Sequence, residues 1–364
     1  MRLVVFGLTI TSSWGNGHAT LWRSLCRALA RRGHRVVFFE RDVPWYAGAR
    51  DMREVPGVET VLYPEWDAVR GRAERELAGA DAGMVTSYCP DGVAASRLVL
   101  SAPRLPARVF YDLDTPVTLE RLAAGERPAY LPPEGLGGFD LVLSFTGGPA
   151  LDRLRAELGA RHVAPLYGGV DPEAHRPVPP QEGYRADLSY LGTYAADRQP
   201  ALERLFVEPA RRLPGRRFAI GGAQYPPDFP WAPNIWFLRH MPPPEHPAFF
   251  SSSRLTLNVT RRAMAEMGWC PSGRLFEAAA CGTPLLSDTW PGLDSFYRPG
   301  EEILVARGTE EALAAIGLGD AELRRIARRA RERTLEEHGS DRRAAELEAA
   351  LEGIAAPEPA QPEA

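Results

Sequence analysis

Two doubly wound α/β domains with parallel sheets are what this sequence predicts, and three observations carry the prediction. Short Val/Ile/Leu/Phe runs alternate with longer helical patterns, the mark of buried strands covered on both faces by helices. The alternation stops in a Pro-rich stretch and then restarts. A chain of 364 residues also exceeds what one ordinary hydrophobic core holds.

In chain order, the strand-like runs of the first half are "LVVFGLTI" (3–10), "RVVFFE" (35–40), "VETVLY" (58–63), "AGMVTS" (82–87), "RVFYDLD" (108–114), "DLVLSFT" (140–146) and "HVAPLYGG" (162–169). Between the first two, Leu21, Trp22, Leu25, Cys26 and Leu29 recur at helical spacing, and Gly33 is the stop. "GGVDPEAHRPVPPQEGYR" reads as a linker. New runs follow at "ADLSYLG" (186–192), "RFAIGG" (217–222), "IWFLRH" (235–240), "RLTLNVT" (254–260), "TPLLSD" (283–288) and "EILVA" (302–306). A charged helical pattern covers 321–351, and "APEPAQPEA" is a Pro/Ala/Glu tail. The expected division is a first domain at 1–168, a linker at 169–185, a second domain at 186–320, a C-terminal helix at 321–352 packing back on the first domain, and a disordered tail at 353–364. Ligands of open α/β sheets bind beyond the strand C-terminal ends, so both sheets are expected to face a cleft.

Composition narrows the chemistry. A net charge of −4 and a pI near 6.1 give no electrostatic footprint for nucleic acid. All 43 basic residues are arginine, which excludes a Walker A loop and any Schiff-base enzyme. Phosphate, if bound, must be held by Arg, backbone N–H groups and hydroxyls. Cys26, Cys89, Cys270 and Cys281 form no C-x-x-C pair, and the histidines form no H-E-x-x-H, so neither a disulfide framework nor a metal site is expected. "LVVFGLTI" is too short for a membrane span and no cleavage signal follows it. The expectation is a soluble, cytoplasmic protein without an integral membrane segment.

"SSWGNGHAT" (12–20) follows the first run and opens the first helix, as a dinucleotide fingerprint does. Gly15 and Gly17 match G-x-G, but Thr20 stands where the third glycine belongs and residues 11–14 lengthen the turn. Glu40, ending the second run, suits a ribose. Two readings stay open. One is a binding loop in which Gly15 and Gly17 expose N–H groups while Asn16 and His18 add polar side chains; the other is a turn into the helix with a surface histidine. "FYDLDTPVTL" sets Asp112 and Asp114 on one side of a strand end, suited to orient or deprotonate an acceptor hydroxyl, or else to cap the next helix.

In "LGTYAADRQ", Gly192 makes a turn and Thr193, Tyr194 and Arg198 open a helix. Arg198 suits a diphosphate, because a guanidinium matches phosphate oxygens bidentately. The backbone of "FLRHM", at His240 and Met241, suits a base edge, while the His240 side chain itself reads as core or surface. "LNVTRRAMAEMGWCPSGRLFE" carries Arg261, Arg262 and Gly268, with Pro271 and Ser272 placed to start a helix. Helical spacing then sets Arg274 and Glu277 on one face near that helix's N-terminus, where free N–H groups favour anions. A diphosphate on the helix end with Glu277 on a sugar diol is one reading, and an i,i+3 ion pair on a tightly packed helix is the other.

A helix reading E-A-x-A-C-G-T-P in the second of two Rossmann-like domains looks like the nucleotide-sugar site of GT-B glycosyltransferases. More narrowly, "DTPVTLERL", "YLGTYAADRQPALERL", "HMPPPEHPAFF", "LNVTRRAM" and "PSGRLFEAAACGTPLLSDTWPGLDSF" resemble the CgeB-like (spore maturation protein B) glycosyltransferases, from about Val109 to Ala306. The first hundred residues fit at the level of fold. The resemblance implies a nucleoside-diphosphate sugar held by the second domain. Glu277 would bind the ribose, Ser272, Gly273 and Arg274 would surround the diphosphate, and Arg198 would stand opposite. Gly192, Thr193, Tyr194, His240, Met241 and Arg261 complete the expected donor site. Gly15, Asn16 and Gly17 are expected on the acceptor side, with His18 and Asp114 as catalytic residues. Many retaining GT-B enzymes carry an E-x7-E pattern; here Trp269 stands eight before Glu277, so stereochemistry and sugar identity do not carry over.

The expected reaction is sugar transfer to an acceptor hydroxyl in the interdomain cleft, without metal or other cofactor. Its rivals are an NAD- or flavin-dependent oxidoreductase, suggested by Gly15, Gly17 and Glu40, and a non-catalytic nucleotide-sugar-binding protein, suggested by Trp269.

Overall fold

Each half of the chain builds one parallel sheet, and a computed structural model describes residues 1–355. The first sheet contains β1 (Arg2–Gly7), β2 (Arg35–Arg41), β3 (Val58–Tyr63), β4 (Ala82–Thr86), β5 (Ala107–Asp112), β6 (Leu141–Ser144) and β7 (Val163–Pro165), in the order β3-β2-β1-β4-β5-β6-β7. The second contains β8 (Leu188–Leu191), β9 (Phe218–Gly222), β10 (Ile235–Arg239), β11 (Thr256–Asn258), β12 (Leu285–Ser287) and β13 (Leu304–Val305), in the order β10-β9-β8-β11-β12-β13. Every strand-like run of the sequence thus contains a strand. β3 coincides with its run and β2 is one residue longer; the others are shorter or shifted at their ends, mostly because the apolar run continues into the turn beyond the last ladder bond.

The strand order reverses direction between β1 and β4 in one sheet and between β8 and β11 in the other. Chain connections leave such a switch point in opposite directions, which opens a crevice at the strand C-terminal ends. The first core gathers Phe6, Phe39, Phe110 and Phe139, and the second Leu188, Tyr190, Phe206, Phe218, Ile220 and Leu257, all almost fully buried. Burial of strands on both faces explains their near-continuous apolar runs.

Two compact units result. The first comprises Met1–Ser12, Leu25–Tyr167 and the described residues from Asp341 on; the second comprises Ser13–Ser24 and Gly168–Ser340. The loop carrying Gly15, Asn16, Gly17 and His18 therefore groups with the second unit, although β1 before it belongs to the first. The helical pattern of 321–351 is two helices, Asp320–Glu337 and Ser340–Ala355. Between them the backbone of His338 and Ser340 pairs with Val170 at 3.0 and 2.8 Å instead of continuing the helix, and Gly339 bends there at little cost. In the first unit, the second of these helices, from Asp341 on, is tied down by Arg31–Asp341 at 3.0 Å and by Glu348 to Arg32 and His34. The tail expected from 353 lies, from 356 on, outside the described residues.

Candidate functional site

The switch point of the second sheet is where its unusual side chains meet. Arg274 donates from Nη1 to the Asn258 side-chain oxygen at the end of β11 (2.9 Å) and lies 5.1 Å over the Tyr190 ring of β8. Gly192, one residue past β8, is the third wall: a Cβ there would meet Arg274 Nη2 and the Tyr190 hydroxyl, each at 2.8 Å. Gly222, ending β9, lies so close that its Cβ would fall 2.1 Å from the Gly192 carbonyl oxygen. Both positions need glycine because backbone and guanidinium occupy the space of a side chain. Tyr225 donates to that Gly192 carbonyl at 3.1 Å, and Arg198 donates to the Thr193 carbonyl at 3.2 Å.

Two guanidinium groups approach each other here. Burial, together with the like charge of Arg198, lowers the pKa of Arg274. Among the described residues neither guanidinium forms an ion pair, and Arg198 Nε is buried without a hydrogen-bond partner. Two neighbouring guanidinium groups with spare donors suit an anion. The Gly273–Ala280 helix adds to this: Ser272 sits at its N-cap but its side chain makes no capping bond, leaving first-turn N–H groups open.

Arg274 and Glu277 do not form the ion pair that their spacing allows. Arg274 turns to Asn258, whereas Glu277 Oε2 lies 3.6 Å from His246 Nδ1 and 4.0 Å from His175 Nε2. Burial works to raise the Glu277 pKa, but the neighbouring His175 and His246 side chains, with Arg274 behind, override it and hold the carboxyl at about 2. His246 Nε2 in turn faces the Met241 carbonyl at 3.2 Å.

The remaining residues expected at the donor are spread around this centre. Tyr194 packs against Tyr225 at 5.6 Å between ring centres. Arg261 bonds Asp197 at 3.3 Å. Met241 is buried, and His240 is exposed, with its N–H donating to the Gly222 carbonyl at 2.7 Å. Trp269 has a φ of 45°, a conformation costly for a bulky residue. Its ring fills the space where a Cβ on Gly292 would lie, 2.6 Å from ring atoms.

In the loop 13–18, Asn16 accepts from the Ala19 N–H at 3.2 Å and so caps the His18–Arg31 helix, whose first residue is His18. A Cβ on Gly15 would lie 3.4 Å from Gln224 Nε2, whereas the backbone of Gly17 accepts from Leu21. Glu40 is fully buried and accepts from the N–H groups of Ile10 and Thr11 and from the Thr11 hydroxyl (2.7, 3.0 and 2.6 Å). It braces the loop after β1, and its carboxylate is engaged by these three donors. In the first unit Asp114 is the N-cap residue of the Thr115–Ala123 helix, with no side-chain capping bond, and its N–H donates to Asp112 at 3.1 Å. Asp112 is fully buried, its Oδ2 has no partner, and burial pushes it up to about 6. His18 and Asp114 thus belong to different units.

Comparison with known proteins accords with this architecture. Residues 198–349 match the family model described as Glycosyl transferase-like. No curated protein matches the sequence. Solved structures with the same fold include a sucrose-phosphate synthase from Thermosynechococcus elongatus (15% identity, TM-score 0.68, covering 97% of this chain and 99% of that one). Anabaena Alr3699/HepE in complex with UDP and glucose is another (13% identity, TM-score 0.69, covering 97% and 100%). The fold is GT-B. An α-glucosyltransferase bound to UDP-glucose and DNA containing an abasic site shares it at 12% identity and TM-score 0.68, covering 97% and 99%.

Within the second GT-B unit stand residues that sequence patterns did not single out. Tyr190 and Asn258 lie inside strands and read as core. Asp288 ends the run after β12; it accepts from the Thr260 N–H and hydroxyl, each at 2.9 Å, and burial raises its pKa. His175 lies in the stretch read as a linker, and only folding brings it to Glu277. The "PEHPAFF" segment contained His246, but no spacing rule pointed to it. Among the described residues no helix is long and apolar enough to cross a membrane.

Proposed function

We propose that this chain is a metal-independent glycosyltransferase of the CgeB-like kind, moving a sugar from a nucleoside-diphosphate sugar to an acceptor hydroxyl. One observation carries the reading: Arg198 and Arg274 converge at the second sheet's switch point as cations without ion-pair partners among the described residues. A diphosphate supplies the missing negative charge. The match of residues 198–349 to a glycosyltransferase-like family supports the same reading. So do GT-B neighbours described with UDP and with UDP-glucose, which make UDP the first nucleotide to try.

In the proposed reaction the bond between the sugar's anomeric carbon and the diphosphate oxygen breaks. The acceptor oxygen forms the new bond to that carbon and loses its proton. Arg198, Arg274 and the N–H groups of Gly273 and Arg274 stabilise the departing diphosphate, the role that a divalent metal plays elsewhere. Glu277, ionised across the neutral range, accepts hydrogen bonds from the ribose diol. Gly192, Thr193, Tyr194, Arg261 and the backbone of His240 and Met241 shape the rest of the donor site. The acceptor meets Gly15, Asn16 and Gly17, and His18 or Asp114 takes its proton; an imidazole's ordinary pKa near neutrality suits the task.

A thermal-shift panel of UDP, GDP, dTDP and their sugars tests the proposal. A cognate nucleotide at 100 times its Kd stabilises the protein by about 2.7 kcal/mol. A panel without any shift, in protein that also shows no sugar transfer, rejects it. Bound nicotinamide or a yellow flavin would favour an oxidoreductase.

A further inference from the structure

We propose that His175, His246 and Glu277 form a binding site for a divalent transition-metal ion of the zinc type. Their donor atoms lie within 4.8 Å of one another, and the three side chains are only 10, 12 and 16% exposed. They come from three separate pieces of chain. His175 follows a turn whose N–H groups bond back to Asp171, His246 opens the His246–Ser251 helix, and Glu277 lies on the Gly273–Ala280 helix.

The tautomer of His246 decides the chemistry. Its Nε2 lies 3.2 Å from the Met241 carbonyl, which can only accept, so Nε2 carries the hydrogen. In the neutral ring Nδ1 then presents a lone pair, and it faces a carboxylate oxygen at 3.6 Å. A cation in the 3.6 Å gap between these two groups would be held by both. A zinc-sized ion spans it well: with bonds of about 2.0 to 2.2 Å, tetrahedral ligands stand about 3.4 Å apart.

The donor set selects the metal. Two imidazoles and one carboxylate suit Zn²⁺, Co²⁺ or Ni²⁺, whereas Mg²⁺ and Ca²⁺ require more oxygen ligands. A His ligand whose other N–H bonds a backbone carbonyl is the usual support of such a site, since it fixes the ring and raises its basicity. Three protein ligands leave a fourth position for water. Because the ion would occupy Glu277, it would also exclude the ribose, so the metal acts as a competitive inhibitor of donor binding. That last consequence rests on the ribose reading of Glu277; metal binding itself does not.

The test uses the full chain, stripped with a chelator and titrated with Co²⁺ and with Zn²⁺. The expected results are visible absorption bands of four-coordinate Co²⁺ and one Zn²⁺ per chain by calorimetry. Glu277→Gln and His246→Ala each weaken Zn²⁺ binding by about 100-fold or more, beyond what loss of a supporting contact does, while the exposed His162→Ala leaves it unchanged. Absence of Co²⁺ bands in the wild-type protein overturns the proposal without any variant having to fold. Bands that persist in both ligand variants also overturn it. Saturating Zn²⁺ is expected to raise the apparent Kd for UDP. If Zn²⁺ binds and the Kd for UDP stays constant, the metal site stands and Glu277 is not the ribose ligand.

Discussion

Asp112 and Glu277 are both carboxylic acids withdrawn from water, one in each unit, and they behave in opposite ways. Burial lifts Asp112 to about 6, and the nearby Asp114 charge adds to the rise. Glu277 is also desolvated yet is held at about 2, because two imidazoles and a guanidinium stand near it. Depth in the protein therefore does not decide whether a buried acid is charged. The charges placed around it do. One unit holds an acid raised to about 6, and the other an acid held at about 2 and ionised across the neutral range.

The largest expected effect sharpens the contrast between the units. Asp114→Asn, beside Asp112, and His18→Ala are expected to lower sugar transfer by about 100-fold or more while donor affinity by calorimetry stays at its wild-type value. A variant that transfers at the normal rate carries no proton in the mechanism. Next comes the titration of Asp112. Its pKa in the fold lies above the ordinary carboxyl value of 3.8, so the fold prefers the neutral acid. The associated stability is complete below about 3.8 and lost as pH rises through about 6, amounting to about 3 kcal/mol. Denaturant unfolding at pH 4 and pH 7 should show this loss in wild type and not in Asp112→Asn; parallel curves would mean that Asp112 is better solvated than its surroundings indicate.

Glu277→Ala should cost the second unit about 1.5 to 3 kcal/mol in UDP affinity with the unfolding midpoint little changed, the weight of a charge-assisted hydrogen bond. Undiminished affinity would remove Glu277 from the donor site. The smallest effect is at the arginines. Lys in place of Arg198 or Arg274 keeps the charge and loses the fork, so about 1 kcal/mol should disappear from UDP binding and nothing from uridine binding. Equal loss for both ligands would show that the guanidinium touches no phosphate.

Much of this arrangement was legible in the sequence, and for a physical reason. A strand buried on both faces has to be apolar along its length, so every β-strand announced itself, and the Gly-x-Tyr turn after β8 and the small residues of the Gly273–Ala280 helix advertised close packing. The loop before His18 was harder to assign: it leaves β1 in one unit and packs in the other, and no local pattern encodes such a crossing. The partner of Glu277 was misjudged for a similar reason. Helical spacing made Arg274 the neighbour, but the two side chains leave the helix toward different partners, and the histidine at 175 arrives from a proline-rich segment with no periodicity. The polar inner shell of Tyr190, Asn258 and Asp288 was hidden inside apolar runs, where a single hydroxyl or amide does not break the pattern.

Gly222 touches no proposed ligand, yet the contact between it and the Gly192 carbonyl makes the ends of β8 and β9 a single mechanical part. Any side chain at 222 must push the Gly192 peptide away and with it the wall that seats Arg274. Gly273, at the mouth of the anion site, has open space within 4 Å of a built Cβ and should accept alanine. A saturation library would then rank these two glycines in the reverse of their distance from the chemistry, and the map of forbidden substitutions would trace the joint between two strands more sharply than the outline of the substrate.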